Sequence, residues 1–116
     1  MKLVNFLSKG EKNIGALLGD GVCSFKSISD KYSMSMVEFI QQIDDLSAEV
    51  SDFINSSPEV IPLSEIEFLP VIDRPGKVLA VGLNYKDHAK ETGMDVPEVP
   101  MIFTKQSTSV LGHQGE

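Results

Sequence analysis

Apolar and polar positions alternate in short runs over the first quarter of the chain. Leu3, Val4 and Phe6 mark one run, at residues 2–6, and residues 14–18 and 22–25 mark two more. Each run is short, and Gly19-Asp20-Gly21 between the last two is a turn signal, so a small β-meander is expected. From Ser35 the period changes. Ser35-Met36-Val37-Glu38 has the capping-box pattern, and apolar residues follow at Met36, Phe39, Ile40, Ile43 and Leu46. That spacing predicts a helix with one stripe toward a core. Val50, Phe53 and Ile54 continue it as a second helix begun at Ser47, and Asn55-Ser56-Ser57-Pro58 ends it. The methionines in this region read as core filler.

Residues 62–75 are bounded by prolines and predict an extended linker with a strand in it. Residues 77–82, KVLAVG, form an apolar β run ending in glycine. Residues 84–92 predict a short helix closed by Gly93, residues 95–100 a proline-bounded loop, and residues 101–104 another strand. Residues 107–116 are polar and contain glycine. The chain shows no internal repeat.

Composition narrows the function classes. The net charge of −7 is concentrated in residues 31–70, which carry eight acidic groups against Lys31. Such a surface repels phosphate backbones, so nucleic acid is not expected as a partner. Cys23 is alone, which excludes an intramolecular disulfide and a cysteine-based zinc site and fits a reducing cytoplasm. No apolar run approaches the ~20 residues of a membrane span, so no membrane partner is expected.

The stretch Arg74-Pro75-Gly76-Lys77-Val78-Leu79-Ala80-Val81-Gly82-Leu83-Asn84-Tyr85, followed by His88, Glu91 and Met101-Ile102-Phe103-Thr104-Lys105, resembles the fumarylacetoacetate hydrolase family, in particular its bacterial 2-oxo-acid branch. The strong match covers about residues 69–112. Residues 1–68 are similar to the small, variable N-terminal domain of these enzymes. The resemblance implies an α+β chain: a β-meander plus helices at 1–68, then the first strands and helix of a mixed β-roll at 69–116. It also implies a homodimer and a magnesium or manganese ion held by a Glu-x-Glu pair and a later Asp. In the family those ligands lie downstream of the Phe-x-Lys segment, and no Glu-x-Glu follows it here. The metal site is therefore expected to be absent and the catalytic domain incomplete.

His88 and Glu91 stand at i and i+3, which share a face on a helix. A carboxylate beside an imidazole orients the ring and raises its basicity. Spacing alone is also compatible with an incidental pair on a solvent-facing helix. The resemblance makes the two the catalytic dyad, activating water against a distal carbonyl while the metal chelates the 2-oxo-carboxylate. It places Lys105 near the substrate, where an ammonium attracts a carboxylate or enolate. A plain surface lysine fits that position equally well, and Gln106 stands where family members often have Pro. Gly82, Asn84 and Tyr85 are expected to shape the turn into the helix. A zinc site from His88, Glu91 and His113 matches no ligand spacing.

Two functions follow as expectations. One is the N-terminal portion of a metal-dependent enzyme that hydrolyses, decarboxylates or isomerises 2-oxo acids and is inactive alone. The other is a non-catalytic module that self-associates or binds a full-length relative.

Overall fold

A computed structural model describes residues 1–95 and 97–115, with His88 described as backbone only. The chain divides into two compact units, one formed by Met1–Asp73 with residues 111–115, the other by Arg74–Val110. Its make-up is mixed α and β, with antiparallel sheets and few helices, as the α+β expectation requires.

The first unit is built on a five-stranded antiparallel sheet in the order β4-β3-β2-β1-β5. Its strands are β1 (Leu3–Ser8), β2 (Glu11–Leu18), β3 (Gly21–Ser24), β4 (Ile61–Pro62) and β5 (Glu67–Leu69). Tight turns set the meander. Lys9 and Gly10 both have positive φ, as a two-residue type I′ loop requires, and the register then pairs Ser8 with Glu11 and Leu3 with Ala16. The strand period of two sorts the faces. Leu3, Ile14, Ala16, Leu18 and Cys23 share one face and pack with the helices, while Phe6 and Val22, both fully buried, lie on the other.

The helices are α1 (Met36–Gln41) and α2 (Ile43–Asn55). The capping box forms with both bonds: the Glu38 amide donates to Ser35 Oγ at 3.2 Å, and the Ser35 amide donates to the Glu38 carboxylate at 2.8 Å. The second helix starts at Ile43 and not at Ser47, because the chain breaks helical geometry at Gln42 (φ −109°, ψ 14°). Asp44 and Asp45 then fall in the first turn of α2, where the helix dipole favours negative charge. Leu46 and Val50 are buried, and they meet Phe25, Tyr32, Met36 and Phe39 in the core. Phe25 and Tyr32 reach it from two short 3₁₀ turns, and the three aromatic rings lie 5.2–6.3 Å apart. Such separations suit tilted and edge-to-face packing.

The strand expected within residues 62–75 is β5, and the stretch up to Asp73 is tied to the sheet rather than running free. Ile61–Pro62 pairs with β3 and Glu67–Leu69 pairs with β1, so this segment supplies both edges of the sheet. Pro62 is tolerated there because an edge strand has amides that need no partner. The segment stays tied beyond the strand. Asn5 Nδ2 donates to Pro70 O at 3.0 Å, Ile72 packs on the core, and Lys12 pairs with Asp73 at 3.0 Å. Residues 111–115 return to this unit. Gly112 approaches Phe68 so closely that a Cβ there would lie 1.8 Å from the Phe68 carbonyl oxygen, and the His113 ring meets Phe68 edge-on.

The second unit is a two-stranded antiparallel hairpin, β6 (Val78–Gly82) and β7 (Met101–Lys105), with α3 (Lys86–Thr92) in the connection. Gly93, at φ +68°, ends α3. Its amide donates to Lys90 O and that of Met94 to Ala89 O, the two bonds of a Schellman motif.

Candidate functional site

The residues singled out in the sequence, His113 apart, lie in the second unit. β6 carries the chain to Gly82, which pairs with Met101 as the last residue of the strand. The left-handed turn into the helix is made one residue later, by Leu83 at φ +50°. Gly82 has no positive φ, and an added Cβ would meet only ordinary contacts at 3.5 Å and beyond. Nothing in the sequence marks Leu83 for this role, since Gly82 and Asn84 on either side suit the conformation better. Asn84 is exposed, and Tyr85, 74% exposed, stands at the N-cap of α3.

Position 88 is the third residue of α3 and Glu91 the sixth, so the backbone presents them one turn apart along the same face. The side chain of His88 lies outside the described residues, and the pairing of the two groups is an expectation carried by the helix. Glu91 is exposed, Ala89 between them is buried to 1% exposure, and the Thr92 hydroxyl donates to Ala89 O at 3.1 Å. The buried Ala89 gives α3 an inner face. Its size fits close packing there, a signal that is legible only once the helix is placed. Lys105 closes β7, exposed, with its ammonium 5.3 Å from the Phe103 ring centroid. That is a cation–π distance, so the side chain has a preferred resting place on the strand it follows.

The first unit holds a cleft of about 360 Å³ bordered by Lys12, Lys26, Asn5 and Asn13. Lys12 is paired with Asp73 and Lys26 with Glu11, at 3.0 and 3.1 Å, so the two cations are compensated. A second polar cluster joins the core edge to α2. Tyr32 donates its hydroxyl to Glu49 at 2.9 Å, and Lys31 donates to the same carboxylate. The hydrogen bond from Lys31, then that from Tyr32, holds Glu49 below the usual carboxylate range. Burial, then the bond to Glu49, pushes the Tyr32 phenol up, and Glu49 raises Lys31. Both features read as structural.

Among the described residues, no group of three or more His, Cys, Asp or Glu side chains could hold a metal ion. The upstream pair Glu65 and Glu67 belongs to no such group, and His113 packs on Phe68. The donor set for a magnesium or manganese ion, which needs several converging oxygens, does not fit the described residues. No helix among the described residues is long and apolar enough to cross a membrane.

No family model matches the chain. Individual proteins do. The mitochondrial oxaloacetate tautomerase FAHD2A of Bos taurus is 35% identical over 94 residues, covering 81% of this chain and 30% of the relative. The mitochondrial oxaloacetate tautomerase Fahd2a of Rattus norvegicus is 32% identical over 116 residues, covering 97% and 37%. A fumarylacetoacetate hydrolase domain-containing protein 2 of Pongo abelii is 33% identical over 98 residues, covering 84% and 31%. The chain thus spans about a third of the length of the curated relatives it matches. Over that span, this similarity supports the fumarylacetoacetate hydrolase family for the chain.

Proposed function

We propose that this chain is the N-terminal part of an enzyme that interconverts the keto and enol forms of a 2-oxo acid of the oxaloacetate type. The supporting observation is the likeness, over 81–97% of the chain, to proteins named oxaloacetate tautomerases. The relatives that carry it are vertebrate and mitochondrial by name, so the reading rests on the family and not on its bacterial branch or a cytoplasmic location.

Tautomerisation moves one proton. A C–H bond beside the keto carbon breaks, the electron pair becomes the enolate, and an O–H bond forms at the former keto oxygen. His88 is the group in this chain suited to accept and return that proton, since imidazole titrates near neutrality. Glu91, one turn on, stabilises the imidazolium while it exists. The Lys105 ammonium attracts the substrate carboxylate and the developing enolate charge. Proton transfer replaces the attack of water that the wider family suggests. The resemblance implies a divalent metal, but the described residues do not fit one, and no step here runs through it. By the resemblance, residues 69–116 supply only the first strands and helix of the catalytic β-roll, and the metal and the homodimer are what it implies for the completed enzyme.

The test is a chimera that joins residues 1–116 to the remaining two thirds of the cattle relative, assayed by the decay of enol absorbance of oxaloacetate. Activity is expected, and His88→Ala and Glu91→Ala should each reduce turnover by ~10²–10⁴. The double variant should lose little more than either single one, because the two groups act as a unit. Turnover indifferent to His88→Ala would show that the base lies elsewhere.

A further inference from the structure

Four non-glycine residues among those described have positive φ: Lys9, Ser57, Leu83 and Gln114. Lys9 belongs to a hairpin turn, Ser57 follows the end of α2, and Gln114 lies in a turn. These are places where the chain reverses or a helix ends. Leu83 differs. It joins β6 to α3, its apolar side chain is half-buried, and Asn84, which takes left-handed backbone far more readily, stands one place later. Left-handed backbone crowds Cβ against the following carbonyl, so leucine persists there only when its surroundings hold it. Two features of the same unit can do so: the half-burial of Leu83 itself and the burial of Ala89 on α3.

We propose that Leu83 is a positioning residue for the proposed proton transfer. Its left-handed backbone, held by its apolar side chain, fixes the direction in which α3 leaves β6. Positions 88 and 91 are thereby set relative to the hairpin, whose Met101 end pairs with Gly82 beside the turn while Lys105 stands opposite Val78 at the other end. A glycine would make the turn without crowding but also without a fixed direction. Leucine exchanges ease for rigidity. The inference rests on the roles given above to His88, Glu91 and Lys105.

The experiment has a structural arm that needs no activity. In the 116-residue chain, Leu83→Gly is compared with the parent by residual dipolar couplings of α3 and the hairpin, and by exchange of the Ala89 amide, which donates to Tyr85 O at 3.1 Å. An incidental strained turn would leave α3 as ordered or better ordered after substitution by glycine. The proposal expects the reverse: about tenfold or faster exchange at Ala89 and a broadened helix direction, with both restored in Leu83→Met. If Leu83→Gly unfolds the second unit, Leu83→Asn decides, because it favours the turn yet lacks the apolar body. It must show the same faster exchange. In the chimera, Leu83→Gly should lower kcat by about tenfold or more with KM within about twofold. Exchange at Ala89 that is unchanged or slower, or an unaltered kcat, overturns the proposal. A parent chimera without activity overturns the functional reading instead, and amide exchange still decides the role of Leu83.

Discussion

Single residues carry much of the first unit's specification, and glycines show it most sharply. At Gly15 a Cβ would lie 2.0 Å from the Cys23 carbonyl oxygen and 3.3 Å from the Phe6 ring. Backbone cannot yield as a side chain tip can, so Gly15→Ala must spread β2 from β3 or shift Phe6. A loss of about 1–3 kcal/mol is expected in chemical denaturation, the usual scale of overpacking. Unchanged stability would mean that the strands stand farther apart than described. The cluster of Lys31, Tyr32 and Glu49 gives a pH dependence with a definite sign. Glu49 is held low by Lys31 and Tyr32, and Glu38 is held low by the Ser35 amide and hydroxyl. A carboxylate with a lowered folded pKa contributes stability above its unfolded value, and that contribution is lost as pH falls through the folded one. Stability should therefore decline from about pH 4.3 downward. Glu49→Gln should flatten that decline, and a variant with the parent's acid profile would remove Glu49 from the account. Tyr32 and Lys31, both raised, act at the other end, where their contribution fades only as pH climbs through their alkaline range.

At the scale of elements, α1 spans only six residues and depends on its cap. Ser35 accepts the Glu38 amide while Glu38 accepts from the Ser35 amide, satisfying two donors that the helix cannot satisfy itself. Ser35→Ala should cost about 0.5–2 kcal/mol, measured by urea unfolding, whereas Ser35→Asp should keep most of the stability. Equal losses in both variants would mean that the hydroxyl is not acting as a cap. The edges of the sheet make a different point. β4 has two residues and β5 three, so both edges are too short to recruit another strand readily.

The two units differ in how well each can stand alone. The first closes a core of aromatic and aliphatic side chains between a five-stranded sheet and two helices. The second is a two-stranded hairpin with one short helix, and Leu79 and Ile102 are 62% and 64% exposed. A lone hairpin is marginal in water, because little apolar area offsets the entropy of ordering it. Hydrogen exchange should therefore separate the units, with amides of β2 protected at least about tenfold more than those of β6 and β7. Equal protection would require more burial around the hairpin than its side chains show.

The sequence by itself determined the local elements, because local rules make them. Gly19 set the meander turn, Ser35 and Glu38 began a helix, Gly93 closed another, and alternating apolar runs marked β1, β2, β3, β6 and β7. It also determined the spacing of His88 and Glu91, since a helix fixes what i and i+3 can share. Tertiary structure decided the rest. Residues 62–75 read as an extended linker with one strand in it, which is β5, whereas the two residues of β4 leave too little pattern and only pairing with β3 reveals them. The break at Gln42 stayed hidden because the apolar stripe runs on through Ile43 and Leu46. Gly112 could not be seen as a contact of Phe68, because 43 residues of chain separate them and no local rule spans that distance. Leu83 was hidden for a related reason. Propensity assigns a left-handed turn to glycine or asparagine, and leucine takes it only where the surrounding packing holds it there.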